Sequence, residues 1–278
     1  MTLNIWIIGK YGVLSAAMQR ACTLANIPHK ATSTKQVDIL NKDQVLTFLD
    51  GTHFTHIINC SGFTDVDGAE KAPVKAYQLN ADAPKFLSQQ AKIRGIKFIH
   101  FSTDYVFNGD KKSYIESDQP APLSIYGNSK YQGEKQVLVE NISALVIRTS
   151  WLFGLHGEHF VKTITKKMQE TSRIFVVSDQ VGQPTFAGDL AEYVLESLHL
   201  SGVRHFSNSG SVSWHDLACE IKGLLEKKIR VLCKEIVPVQ SSYFSSTAKR
   251  PKSSILLSNY ITPRSWISGL KEVVNESI

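Results

Sequence analysis

Short apolar runs alternate with helical patterns along the first half of the chain, and this alternation limits the folds open to it. The runs occupy residues 3–9, 55–62, 96–107 and 144–154. Continuous apolar runs of this length are typical of strands buried on both faces of a parallel sheet. Helical patterns follow at residues 14–24, 76–95 and 126–141. Strands that alternate with helices predict βαβ units, and hence a Rossmann-like doubly wound parallel sheet of the α/β class.

The alternation becomes less regular after residue 154, where shorter helical and strand patterns resemble a smaller α+β part. We predict a dinucleotide-binding Rossmann domain over residues 1–154 and a mainly substrate-binding part over residues 155–278. No linker or low-complexity tract separates them. We therefore expect the two parts to be interleaved and packed together.

Composition narrows the function classes. No apolar run reaches the roughly 18 residues that a membrane helix needs, and the first residues do not resemble a signal peptide, so we expect a cytoplasmic protein without membrane contact. The net charge is +6, but the basic residues are scattered, and we expect no nucleic-acid partner. The four cysteines are not clustered, and the spacing of the histidines fits no metal site, so no metal is expected.

Two glycines, Gly9 and Gly12, stand between the first strand and the first helix. Glycine at such a turn lets the backbone approach a pyrophosphate, and the helix N-terminus offers unpaired N–H groups. About 20 positions further on, where an acidic residue usually accepts the ribose hydroxyls of NAD, the chain holds Ser33 and Lys35, with no carboxylate before Asp38. A lysine and hydroxyls suit the 2′-phosphate of NADPH better than the ribose of NADH. The alternative, that Lys35 only lies in a solvated loop, stays open.

The pattern Tyr-x-x-x-Lys occurs twice in succession, as Tyr126 with Lys130 and as Tyr131 with Lys135. Residues four apart share a helix face, and an ammonium group there is expected to lower the pKa of the tyrosine, making it a better proton donor. Tyr126 lies at the expected helix start, at the edge of the sheet where ligands bind. Thr103 ends a strand at the same edge. We therefore predict that Thr103, Tyr126 and Lys130 are catalytic and that the second pair is structural or solvated.

Several longer motifs appear in a fixed order: "STDYVFNG", "YGNSKYQGE", "RTSWLFG", "DQVGQPT" and "KRPKSSILLSN". With the Gly-x-x-Gly turn, they make the chain resemble the extended short-chain dehydrogenase/reductases, and within these the dTDP-4-dehydrorhamnose reductase family, from residue 3 to about residue 270. The resemblance implies reduction of the 4-keto group of dTDP-4-dehydro-6-deoxy-L-mannose to dTDP-L-rhamnose by NADPH, with NADH as the other candidate. It also suggests a homodimer.

The resemblance assigns roles to individual residues. Thr103, Tyr126 and Lys130 take the positions of the catalytic triad. The residues implied to line the cofactor are Gly9, Lys10, Tyr11, Gly12, Val13, Ser33, Lys35, Asn59, Cys60, Ser61, Tyr126 and Lys130. Those implied to contact the nucleotide sugar are Asp104, Tyr105, Trp151, Gln183 and Arg250. Two of these have structural alternatives, since Trp151 could belong to the core and Arg250 could brace the C-terminal segment.

Some positions depart from the family pattern. The stretch "NCSGFT" at residues 59–64 replaces a usual "NAAAYT", and His159 stands where asparagine is usual. Another nucleotide-linked 4-keto-deoxysugar is therefore an alternative substrate. A second alternative is a non-catalytic NADP-binding subunit, like the regulatory subunit of methionine adenosyltransferase. An epimerase or dehydratase is disfavoured, because dehydratases commonly place Asp-Glu after the threonine and here Asp104 is followed by Tyr105.

Overall fold

A six-stranded parallel sheet with helices on both faces organises the molecule. The computed structural model describes residues 2–276. The strands are β1 (Ile5–Ile8), β2 (His29–Thr32), β3 (His56–Asn59), β4 (Lys97–Thr103), β5 (Leu145–Thr149), β6 (Leu152–Phe153), β7 (Arg173–Val177), β8 (Val181–Gly182), β9 (Thr185–Phe186), β10 (Gly202–His205), β11 (Val212–Ser213) and β12 (Glu235–Val239). The main sheet has the order β10-β5-β4-β3-β1-β2, and every pairing in it is parallel. The predicted Rossmann-like α/β class is confirmed.

The helices are α1 (Val13–Leu24), α2 (Lys42–Asp50), α3 (Val66–Lys71), α4 (Pro73–Tyr77), α5 (Ala83–Ile93), α6 (Ile125–Glu140), α7 (Phe160–Glu170), α8 (Ala187–Glu196), α9 (Trp214–Leu225) and α10 (Trp266–Glu276). A π-helical turn, Gln78–Asp82, joins α4 to α5, and two 3₁₀ turns occupy Asp104–Val106 and Ser241–Tyr243. Within residues 2–276, no helix is both long enough and apolar enough to cross a bilayer.

The first strand shows why its sequence is apolar at every position. Successive side chains of a strand point to opposite faces, so Ile5 and Ile7 pack in one core cluster with α1 and α8, while Trp6 and Ile8 pack in a second with α2 and α5. All four residues are buried. Both faces of the sheet are therefore covered, and the edge at the carboxyl ends of the strands stays accessible to ligands.

The smaller part of the structure has its own core, formed by α7, α9, α10 and the strands β6, β7, β9 and β12. Its chain also returns to the main sheet, because β10 pairs with β5 and α8 packs against α1. The division at residue 154 stays a prediction.

Some element boundaries differ from the sequence-based expectation. The strand predicted over 96–107 ends at Thr103, where the 3₁₀ turn begins. The strand predicted over 144–154 is broken into β5 and β6, because Trp151 adopts a positive φ of 43°. Strands β2 and β10 escaped prediction, since both are short and only partly buried.

Candidate active site

The turn after β1 has the shape of a phosphate cradle. Gly9 adopts φ +98°, and a Cβ there would lie 3.2 Å from the Ser61 backbone nitrogen. Only glycine therefore fits between the β1 and β3 ends without strain. Gly12 is the N-cap of α1, and no side chain caps this helix or places a carboxylate in its first turn. The first N–H groups of α1 and the positive end of its dipole are thus available to an anion such as a pyrophosphate.

Several other residues predicted to line the cofactor lie near this turn, and their roles stay predictions. Tyr11 is 75% exposed, next to Lys10 and Gly12 in the same turn. Ser33 and Lys35 follow the last residue of β2, at the same edge of the sheet. The Val13 side chain packs instead against the loop after β6, where a Cβ on Gly157 would lie 2.8 Å from it. Val13 thus braces the cradle.

The segment after β3 is held by a buried amide. Asn59 is fully buried; its side-chain oxygen accepts hydrogen bonds from the Ser61 N–H at 3.1 Å and hydroxyl at 2.6 Å. Its side-chain nitrogen lies 3.2 Å from His100 Nδ1 on β4. Asn59 therefore positions Ser61 beside Gly9. Unlike Asn59, both Cys60 and Ser61 are partly exposed. Burial raises the pKa of the Cys60 thiol, which keeps it protonated.

The end of β4 places three of the predicted residues in sequence. The Thr103 hydroxyl donates to Asp104 Oδ1 at 3.0 Å and accepts from the Tyr105 N–H at 3.2 Å, so it caps the 3₁₀ turn. Asp104 is only 2% exposed. Burial raises the pKa of its carboxyl to about 7, although the neighbouring Ser254 and Thr103 hydroxyls oppose the shift. Tyr105 is half-buried, and its ring meets that of Tyr126 edge-on at 5.7 Å.

Helix α6 approaches the sheet closely because two glycines face its neighbours. A Cβ on Gly127 would lie 2.2 Å from the Tyr105 carbonyl oxygen, and one on Gly133 would lie 2.0 Å from the Asn80 carbonyl oxygen. Asn80 lies in the π-helical turn, and its side chain donates to the Ser129 hydroxyl at 3.0 Å. Such π-helical turns are frequent at functional sites. These contacts fix the helix that carries Tyr126.

Tyr126 and Lys130 lie on the inner face of α6. Lys130 is 6% exposed and its Nζ donates to the Phe101 carbonyl oxygen at 2.5 Å. Burial lowers the pKa of Lys130 to about 8, with the Glu134 carboxylate opposing the shift. Burial raises the pKa of Tyr126 to about 12, opposed by the nearby Thr103 hydroxyl. The expectation that the lysine lowers the tyrosine pKa is therefore wrong for the ligand-free protein, because loss of water around the phenol dominates.

The second pair has different surroundings. Tyr131 packs at the edge of a small cluster around Phe107, and its hydroxyl accepts from Gln119 Nε2 at 3.3 Å. Lys135 is exposed, with its Nζ 5.0 Å from the centre of the Tyr131 ring. This pair therefore consists of a partly buried ring and an exposed ammonium group.

A large cavity of about 870 Å³ opens beside Tyr105, between the main sheet and the smaller part. Such a volume suits a nucleotide-sized ligand. Its aromatic lining consists of Tyr105, Phe160, Phe175, Trp214 and Phe244, and its cationic lining of Lys167, Lys249, Arg250 and Lys252. Aromatic faces and clustered cations suit a base or sugar joined to a diphosphate.

Three of the residues predicted to contact the sugar nucleotide have clear structural contacts. Trp151 stacks on Trp214 with ring centres 3.4 Å apart, and Trp214 is the partner that lines the cavity. Gln183 is 6% exposed; its side-chain oxygen accepts from the Ser207 hydroxyl and the Leu256 N–H, both at 2.8 Å. Arg250 lines the cavity. The role of each toward a ligand stays a prediction.

Reasoning from the sequence missed Trp214, Gln180 and Asp67, all of which line the cavity. The Arg250 guanidinium donates to Asp67 Oδ2 at 2.6 Å and lies beside the Tyr105 hydroxyl. Asp67 belongs to α3, far from Arg250 in the chain, so no local pattern could have shown the pair. Among residues 2–276, no group of three or more histidine, cysteine, aspartate or glutamate side chains is placed to hold a metal ion.

Comparison with known proteins places these features in a family. The model of the RmlD substrate binding domain matches residues 3–278. The dTDP-4-dehydrorhamnose reductase of Aggregatibacter actinomycetemcomitans is 33% identical over 262 residues, which are 87% of this chain and 88% of that protein. A probable dTDP-4,6-dihydroxy-2-methyloxan-3-one 4-ketoreductase of Streptomyces antibioticus is 34% identical, covering 96% of this chain and 93% of its own.

Among solved structures, the dTDP-4-dehydrorhamnose reductase of Bacillus anthracis in complex with NADP superposes with a TM-score of 0.93. The two chains share 35% sequence identity, and the match covers 99% of this chain and 100% of that one. The likeness therefore extends over both the main sheet and the smaller part.

Proposed function

Because the chain belongs to the RmlD family of dTDP-4-dehydrorhamnose reductases and is an oxidoreductase, we propose that it reduces the 4-keto group of dTDP-4-dehydro-6-deoxy-L-mannose to give dTDP-L-rhamnose. The observation that carries this proposal is the arrangement of Tyr126, Thr103 and Lys130. The two hydroxyl groups are neighbours at the carboxyl end of β4, and the lysine lies one helical turn from the tyrosine on the buried face of α6.

The proposed cofactor is NADPH, with NADH as the second candidate. The Gly9–Gly12 turn suits the pyrophosphate of a dinucleotide, because no side chain caps α1 and its first N–H groups are available to an anion. Ser33 and Lys35 at the end of β2 suit a 2′-phosphate, and the related Bacillus anthracis enzyme was solved with NADP. When bound, the cofactor supplies the hydride.

The side chains of this chain would handle the proton and the orientation of the ketone. A phenol with a pKa of about 12 stays protonated at neutral pH, so Tyr126 can donate its proton to the carbonyl oxygen as negative charge develops there. The Thr103 hydroxyl, which neighbours that of Tyr126, would donate to the same oxygen in place of Asp104 Oδ1. A charged Lys130 would stabilise the resulting phenolate and lower its basicity. The cationic side chains of the cavity would hold the diphosphate.

A different nucleotide-linked 4-keto-deoxysugar is the second candidate substrate. The 34% identity to the Streptomyces antibioticus 4-ketoreductase over nearly the whole chain favours it, as do the residues "NCSGFT" where the family usually has "NAAAYT". The proposal includes a cytoplasmic location, with which the four free cysteines agree. The homodimer implied by the resemblance stays a prediction.

The test follows NADPH oxidation optically with dTDP-4-dehydro-6-deoxy-L-mannose, comparing Tyr126→Phe with Tyr131→Phe. Loss of the general acid is expected to lower kcat about 10²–10⁴-fold in Tyr126→Phe, with NADPH affinity retained. Tyr131→Phe should keep kcat within about twofold, because its hydroxyl makes one long surface contact. Equal losses in the two variants would contradict the assignment. No turnover by the native protein would refute this substrate, and other dTDP-4-keto sugars would then be assayed.

A further inference from the structure

One wall of the large cavity is formed by residues 241–250, here called the strap. It follows β12 and, apart from one 3₁₀ turn at Ser241–Tyr243, has no regular secondary structure. Most residues of the strap are exposed, and eight of its ten residues line the cavity. With so little apolar burial of its own, the strap depends on polar anchors for its position.

Aspartates anchor the strap at both ends. At its start, Asp179 accepts hydrogen bonds from the Ser241 N–H and hydroxyl, both at 2.8 Å. At its other end, Asp67 Oδ1 accepts from the Thr247 N–H and the Ala248 N–H, both at 2.9 Å. The Asp67 carboxylate also accepts from the Ser246 hydroxyl and Arg250. One side chain of α3 thus binds four of the last five residues of the strap.

The chemistry of these contacts makes Asp67 a stronger anchor than its surface position suggests. Arg250 and the backbone N–H of Ala248 hold the pKa of the Asp67 carboxyl well below its usual range, so it is charged at neutral pH. Hydrogen bonds to an ionised acceptor are roughly twice as strong as neutral ones. Arg250 also lies beside Tyr105, whose ring contacts Tyr126. The anchor is therefore connected, through two side chains, to the proposed proton donor.

We propose that Asp67 is a positioning residue that fastens the strap across the cavity and presents Arg250 to the diphosphate of the nucleotide sugar. This inference rests on the proposed function for its ligand, although the fastening itself does not. Because the strap is already held in place, its conformational entropy is lost during folding and not during substrate binding. Release of the strap should therefore weaken substrate binding more than it slows the chemical step.

The experiment compares Asp67→Asn with Asp65→Asn. Asp65 lies two residues earlier and caps α3 by accepting from the Gly68 N–H at 2.9 Å, a role that asparagine fills equally well. Both variants remove one negative charge near the N-terminus of the same helix, and only Asp67→Asn weakens the anchor. Two measurements are made: the rate of trypsin cleavage after Lys249 without ligand, and KM and kcat for the dTDP-sugar at saturating NADPH.

Asp67→Asn should be cut after Lys249 about tenfold faster than native protein, since cleavage follows the open population of the strap. Its KM for the dTDP-sugar should rise about tenfold, equivalent to about 1.4 kcal/mol, while kcat and NADPH affinity change little. Asp65→Asn should have the same cleavage rate, KM, kcat and NADPH affinity as native protein.

Equal cleavage rates in the two variants would overturn the inference. A lower KM in Asp67→Asn would also overturn it, because Asp67 would then compete with the substrate for Arg250. If native protein turned over none of the dTDP-sugars, the proposed function would fail, and the cleavage rates would still decide whether Asp67 fastens the strap.

Discussion

A buried ion pair between α6 and β5 leads to a quantitative prediction for Glu134→Gln. Arg148 Nε donates to Glu134 Oε1 at 2.9 Å and Nη2 to Oε2 at 2.8 Å, and the two side chains are 4% and 3% exposed. The other polar neighbours of the Arg148 guanidinium are the Glu116 carbonyl oxygen at 3.4 Å and His205 Nε2 at 3.3 Å. These two groups are uncharged, and the Glu116 carboxylate is hydrogen-bonded to Ser258 and Asn259, so a neutral residue at 134 removes the carboxylate that pairs directly with the buried guanidinium.

Removing one partner of a buried pair typically costs about 3–5 kcal/mol. Glutamine keeps one acceptor oxygen, so the lower end of that range, about 3 kcal/mol, is expected for Glu134→Gln. At about 2–4 °C per kcal/mol for a chain of this size, the melting temperature should fall by roughly 6–12 °C. Urea unfolding and calorimetry at pH 7 would measure both quantities.

The matched control is Glu235→Gln, which breaks the pair between Arg173 and Glu235 in the smaller part. These side chains are 60% and 52% exposed, so the loss should stay below about 1 kcal/mol. A loss below about 1 kcal/mol in Glu134→Gln as well would refute the reasoning, because the Arg148 charge would then be compensated by another group.

Two further predictions concern the same helix. Burial lowers the pKa of Lys130 from 10.5 to about 8. Below pH 8 the buried ammonium group therefore lowers the free energy of unfolding by about 3 kcal/mol. This loss disappears as the pH rises from 8 to 10.5, because the folded protein loses the proton first. In urea unfolding, native protein should therefore gain stability relative to Lys130→Met between pH 8 and 10; a constant difference would contradict this. Gly133→Ala should cost about 1–3 kcal/mol, because its Cβ would lie 2.0 Å from the Asn80 carbonyl oxygen. Gly223→Ala, with nothing within 4 Å, should instead gain about 0.5–1 kcal/mol, and equal effects would contradict the packing argument.

The main sheet and the place of Tyr126 at the start of a helix were predictable, because both follow from local periodicity in the sequence. Apolar runs at residues 3–9 and 55–62 correspond to β1 and β3, buried on both faces. The position of Tyr126 at the start of a helix predicted which pair faces inward; in the structure Lys130 is buried and Lys135 is exposed, and the catalytic roles stay predictions. Such signals extend over a few residues and need no knowledge of distant contacts.

Other features depend on contacts between distant residues or on burial, which local patterns do not contain. Asp67 and Arg250 are 183 positions apart in the chain, and their pair exists only because the strap returns to α3. The direction of the Tyr126 pKa shift was mispredicted because burial of the phenol, which depends on the whole fold, outweighs the field of a neighbouring charge. The structural contacts of Gln183 likewise come from Ser207 and Leu256, which no motif connects to it.

The late position of β10 in the chain has a consequence for synthesis on the ribosome. Strand β5 pairs with β10 on one side, yet more than 50 residues are made between them. Until residue 205 emerges, the nascent chain carries β5 as an uncovered edge, which is a site of mispairing and aggregation. Pairing across such a separation also slows folding. The smaller part therefore cannot be an independent addition to a finished Rossmann domain, and a fragment that ends at residue 154 would expose the β5 edge permanently.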